Sequence, residues 1–151
     1  MNEVKFNRIS TANKIANNLW MGDYPIPFSK LEDEFDCLVL CASEYQFPSL
    51  FNNIRIAQAN LNDDGTPITR KEAFEAVYTA KKVIDWLKQD LRILVTCIEG
   101  RNRSGIVCGL TLCHGPLKIR PTKAIDMIRD ARGNNAMSNP WFIKLLHNLS
   151  Y

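Results

Sequence analysis

The sequence predicts a single α/β domain with a mostly parallel central sheet flanked by helices. Three observations predict it. Apolar runs of strand length alternate along the chain with longer stretches of helical spacing. The run Arg92-Ile93-Leu94-Val95 feeds through a short glycine-containing loop into an apolar stretch of helical length, Ile106 to Leu112. Finally, 151 residues, 46% of them apolar, suffice for one domain with a real core.

Taken in order, residues 1 to 15 are polar and read as an N-terminal arm, leaving 16 to 151 as the domain that carries the chemistry. Asp36-Cys37-Leu38-Val39-Leu40-Cys41 reads as a buried strand and Ile54 to Leu61 as a more irregular one. Thr69-Arg70-Lys71-Glu72 is a capping box, which opens a helix to about Gln89. Its apolar face is expected to run through Phe74, Val77, Ile84 and Leu87. Arg92 to Val95 reads as a buried strand, and a helix begins near Arg103 or Ser104 and stops at Gly115-Pro116. Pro121 opens the next helix, and Asn139-Pro140 repeats the start signal with a cap. Phe142, Leu145, Leu146 and Leu149 make a last amphipathic face.

Composition narrows the function. The net charge of +3 is mild, and basic residues such as Lys5, Arg8, Arg55, Lys81, Lys82, Arg120 and Lys123 form no block, so nucleic-acid binding is not expected. The five cysteines do not resemble a disulfide framework, and neither a signal peptide nor a membrane-length apolar run is present. A cytoplasmic protein without membrane association is therefore expected, its oligomeric state left open. Cys37 and Cys41, with Cys113-His114, suggest zinc only superficially. Two cysteines four apart on a strand share a face but lie well apart, and they read better as small core residues. No metal or cofactor is expected. A cysteine protease pairing Cys97 with His147 fits poorly beside so many arginines.

The chemistry concentrates in Cys97-Ile98-Glu99-Gly100-Arg101-Asn102-Arg103-Ser104-Gly105. Gly100 allows the backbone to turn its N–H groups inward as an anion-binding nest, with Ile98, Glu99, Arg101 and Asn102 as the other loop residues. The helix that follows adds free N–H groups and the positive end of its dipole, a field that also favours a thiolate at Cys97. Arg103 offers a planar fork for two phosphate oxygens. A thiolate beside a bound phosphate invites in-line attack on phosphorus, and Ser104 is placed to donate to the sulfur when it leaves.

Cys97-x5-Arg103-Ser104, with Gly100 three residues after the cysteine, resembles the signature loop of the cysteine-dependent protein phosphatases, and its Arg-Ser ending resembles the dual-specificity branch. The likeness extends to Asn18-Leu19-Trp20-Met21-Gly22-Asp23, similar to the family's opening strand. Ile125 to Arg132, Asn139-Pro140-Trp141-Phe142 and Leu145-Leu146 are similar to its closing helices. The resemblance implies a protein-tyrosine-phosphatase-like fold. It also implies removal of phosphate from phosphotyrosine, phosphoserine or phosphothreonine of a protein or peptide through a cysteinyl-phosphate.

It further implies a general acid on a loop ahead of the nucleophile, for which Ala59, Leu61 and Asp63 match an apolar-x-apolar-x-Asp pattern. Asp63 fits better, and Asp64, directly before Gly65, is the alternative. Two residues depart from the family pattern. Thr96 stands where histidine usually precedes the cysteine, and Glu99 places a carboxylate in the loop, with Arg101 as its candidate partner. These departures keep open a phosphate-binding pseudophosphatase without turnover. The same loop also serves RNA 5′-triphosphatases and phosphoinositide phosphatases.

Overall fold

The computed structural model describes residues 3–5, 11–23, 31–42, 44 and 46–150. Among the described residues the chain forms six strands: β1 (Glu3–Lys5), β2 (Thr11–Ala16), β3 (Leu19–Gly22), β4 (Cys37–Leu40), β5 (Arg55–Gln58) and β6 (Ile93–Thr96). Four helices follow or separate them: α1 (Arg70–Lys88), α2 (Arg103–His114), α3 (Pro121–Arg132) and α4 (Pro140–Leu149). The sheet order is β1-β2-β3-β6-β4-β5. β3, β6, β4 and β5 run parallel, whereas β1 and β2 add antiparallel at one edge. β4 and β6 are buried along their whole length, as strands covered on both faces must be.

The helices pack on one face of the sheet, against Cys37, Val39, Ile93 and Val95. The other face, with Leu38, Leu40 and Leu94, is closed by Leu31, Phe35 and Phe51 from short segments around β4. α2 lies at the centre of the helical layer, buried from Arg103 to Leu112 and in contact with α1, α3 and α4. Its start is thereby fixed just beyond the C-terminal end of β6. Burial pushes the thiol of Cys37 up to about 11 and raises those of Cys41 and Cys108 further, so these three are neutral core side chains.

The capping box at the start of α1 forms: Thr69 Oγ1 accepts from the Glu72 backbone N–H at 3.1 Å, and Glu72 accepts from the Thr69 N–H at 3.3 Å. The face that α1 buries includes Val77, Ile84 and Leu87 of the expected one but not Phe74. Phe74 is 70% exposed and stacks on Tyr78, while Ala76, Thr79, Ala80 and Val83 point inward. The small alanines allow α1 to lie close to its neighbours, and that packing outweighs the hydrophobicity of Phe74 in setting the helix rotation. The segment set apart as an arm also enters the sheet. Thr11 to Ala16 form β2, with Ala12 fully buried. Among the described residues, no helix is long and apolar enough to cross a membrane.

β4 and β6 are joined at their N-terminal ends by a fork. Arg92 donates to Asp36 through Nε, Nη2 and its backbone N–H, at 3.2, 3.2 and 2.8 Å. The guanidinium side chain holds the Asp36 carboxyl below the usual carboxylate range. A carboxylate depressed in this way stabilises the fold above its unfolded pKa of about 4, and that stability is lost as pH falls through the lower folded value. Arg92→Met is expected to flatten the pH dependence of unfolding free energy below about pH 4. It should cost only about 0.5 kcal/mol at neutral pH, because the pair is partly exposed; urea titrations across that range check both.

Candidate active site

Cys97 sits immediately beyond β6, and Arg103 opens α2; the six residues 97 to 102 turn between them. Gly100 is the turning point. Its φ of 65° lies in the left-handed region, and a Cβ there would stand 2.4 Å from the Gly22 carbonyl oxygen. Glycine is thus required twice, for conformation and for close approach of the loop to the end of β3. Cys97 is 4% exposed at the base of the loop, and its Sγ lies 3.3 Å from Ser104 Oγ. No side chain caps α2, since Asn102 at the cap position uses its amide elsewhere. The first-turn N–H groups of α2 are left to a ligand in the cradle.

The carbonyls of Glu99 and Gly100, in the turn after Cys97, need donors. Arg132, at the end of α3, supplies them: Nε donates to the Gly100 carbonyl at 3.1 Å and Nη2 to the Glu99 carbonyl at 3.0 Å. Its Nη1 donates to Asn13 Oδ1 of β2 at 2.7 Å, so one guanidinium bolts the loop to the sheet edge. Burial lowers the pKa of Arg132, with the Asp23 carboxylate opposing the shift. Arg129, a turn earlier, donates to the carbonyls of Ala136 and Met137 at 3.1 and 2.9 Å. That holds the turn after α3 in place, including Met137 at a left-handed φ of 52°.

Arg103 is buried, and both of its described hydrogen bonds leave from Nη1, to the carboxylate of Glu44 and to the Leu61 carbonyl. Its Nε is buried with no partner among the described residues. An orphaned guanidinium N–H is costly unless a ligand completes it. The unused Nε edge matches one oxygen pair of a phosphate.

Asp63 and Asp64 separate clearly. Asp64 accepts from the backbone N–H and hydroxyl of Thr66 at 3.1 and 2.5 Å, closing its own turn, and these bonds lower its pKa. Asp63 instead lines a cleft of about 370 Å³ together with Cys97, Ile98, Glu99, Arg101, Asn102 and Arg103. Each of its oxygens accepts one amide N–H, from Asn102 at 3.1 Å and from Asn139 at 2.8 Å. Asn102 also accepts from the backbone N–H groups of Ser138 and Asn139 at 2.8 and 3.0 Å, and Asn139 caps α4 by accepting from the Trp141 N–H at 2.9 Å. The Trp141 indole donates to the Gly65 carbonyl at 3.0 Å, pinning the Asp63 loop from its far side. The two departures are accommodated. Glu99 pairs with Arg101 at 3.1 Å on the exposed rim, and the Thr96 hydroxyl, fully buried, donates to the Val39 carbonyl at 2.9 Å.

The structure therefore brings Cys97, Arg103 and Asp63 to one cleft, with Ser104 buried against the sulfur, and places Asp64 in a turn of its own. Glu44, Arg129 and Arg132 escaped the sequence reading, and Asn139 was read only as a cap. A carboxylate just past the end of a parallel strand was the one available signal for Glu44. Nothing local marks Arg132.

Solved phosphatase structures superpose on nearly the whole chain. Tk-PTP in its active form matches with a TM-score of 0.78 at 16% identity, over 91% of this chain and 95% of that one. Human DUSP28 matches with 0.77 at 19%, over 92% of each. A mouse putative dual specificity phosphatase complexed with zinc tungstate matches with 0.78 at 20%, over 92% of this chain and 85% of that one. No protein-family model matches the sequence, and no curated protein is similar to it. The chain has the protein-tyrosine-phosphatase fold in the form found in dual-specificity phosphatases.

Gly100→Ala is expected to displace the loop from β3, because the obstructing atoms are backbone. Affinity for inorganic phosphate, read by calorimetry, should fall at least tenfold, on the order of the loss of one well-placed anion contact.

Proposed function

We propose that this chain hydrolyses phosphomonoesters, in proteins or peptides, through a phosphorylated Cys97. The observation that carries the reading is a buried thiol at the base of an uncapped helix start, beside a buried arginine whose Nε has no partner among the described residues. The fold shared with tyrosine and dual-specificity phosphatases supports it.

In the first step the Cys97 thiolate attacks phosphorus in line. The S–P bond forms as the P–O bond to the leaving group breaks, and Asp63 gives its proton to the departing oxygen. Arg103 and the loop amides hold the equatorial oxygens, where charge must be stabilised. In the second step water attacks phosphorus, Asp63 takes its proton, and the S–P bond breaks. Ser104, 3.3 Å from the sulfur, donates to the thiolate as it leaves. The two amides on Asp63 fix its position. Every group in this sequence is supplied by the chain and by water.

Cys97→Ser is expected to abolish p-nitrophenyl phosphate hydrolysis while phosphate affinity stays within about twofold, since the cradle is built from other atoms. A variant that still turns over would sink the mechanism, and a wild type that binds phosphate without turnover would favour a non-catalytic reader. Asp63→Ala should slow phenyl phosphate by about 10²-fold or more and p-nitrophenyl phosphate far less, because only the poorer leaving group needs a proton. Asp64→Ala should leave both rates unchanged; the reverse pattern would move the acid to Asp64.

A further inference from the structure

Gln46 is fully buried, and an amide carries two donors and an acceptor that burial penalises unless each is used. Its Oε1 accepts from the Ala42 N–H at 2.9 Å, and its own backbone N–H donates to the Ala42 carbonyl at 2.9 Å. The side chain and backbone of Gln46 thus both bind Ala42, closing a clasp. From the clasp, Nε2 donates to Thr96 Oγ1 at 2.9 Å. The amide orientation is settled by its partners. Thr96 has one hydroxyl hydrogen, already given to the Val39 carbonyl, so it can only accept, and the Ala42 N–H can only donate.

This network has two functional ends. Thr96 directly precedes Cys97, and the clasp carries Glu44, whose carboxylate pairs with Nη1 of Arg103. Building on the phosphatase reading above, we propose that Gln46 is a positioning residue. It locks the loop carrying Glu44 to the strand carrying Cys97, so that the free Nε edge of Arg103 faces the phosphate at the sulfur. A buried polar network without partners would cost more than an apolar core, so partners at both Oε1 and Nε2 specify one arrangement. It also gives Thr96 a role suited to a hydroxyl, where the family's histidine supplies a ring.

The test measures inhibition of p-nitrophenyl phosphate hydrolysis by inorganic phosphate, with melting temperature recorded alongside. Gln46→Met, similar in length but without the amide, should raise the phosphate inhibition constant roughly tenfold, as loss of one buried anchoring bond implies. Thr96→Val, which removes the other end of the bond, should do the same and serves if Gln46→Met does not fold. Thr96→Ser, which keeps the hydroxyl, should restore the wild-type constant. In a Glu44→Gln background, Gln46→Met should add less than about twofold, because its effect passes through Glu44. Full additivity there, or an unchanged constant in both Gln46→Met and Thr96→Val, would overturn the positioning role while leaving the hydrolase reading intact. A wild type that neither hydrolyses the ester nor binds phosphate would overturn that reading instead, and this one with it.

Discussion

An anion cradle made of backbone has a cost on its outer side: each amide turned inward leaves a carbonyl turned outward, and a buried carbonyl without a donor is unfavourable. Arg132 answers this constraint for the loop after Cys97. Its guanidinium reaches the carbonyls of both Glu99 and Gly100 and anchors on Asn13 in the neighbouring strand. That half-buried cation holds the loop where Gly100 sits against Gly22.

The site divides into parts held by different elements. The sulfur and the uncapped helix start come from the β6–α2 turn, at the C-terminal edge of a parallel sheet where open α/β folds place their ligands. The guanidinium of Arg103 depends on the loop after β4, through Glu44. Asp63 depends on the turn after α3 and the cap of α4, through Asn102 and Asn139. Each of these side chains has its own supporting hydrogen bonds, while Glu99 and Arg101 remain exposed at the rim of the cleft.

Much of this was legible in the chain because it is local. Gly100 between Cys97 and Arg103 signals a turned loop; Thr69 with Glu72 signals a helix start; β4 and β6 signal burial by unbroken apolar runs. What escaped is long-range or compensatory. Arg132 pairs with carbonyls more than thirty positions away, and carbonyls carry no residue identity, so no motif records the partnership. Phe74 misled because hydrophobicity was weighed above side-chain size, whereas the small residues Ala76 and Ala80 set how α1 seats. The strand at 11 to 16 was hidden by its polar composition: as a near-edge strand it buries only Ala12 and Ile15. Asp63 and Asp64 are indistinguishable by type and were separable only by their partners.

The bond from Arg132 to Asn13 spans 119 positions of sequence. It makes the shape of the loop after Cys97 depend on α3 docked close to β2. Contacts of such separation form slowly, because the intervening chain must be ordered first. In a chain where that contact has not formed, Cys97 would stand beside a loop without its final anchor.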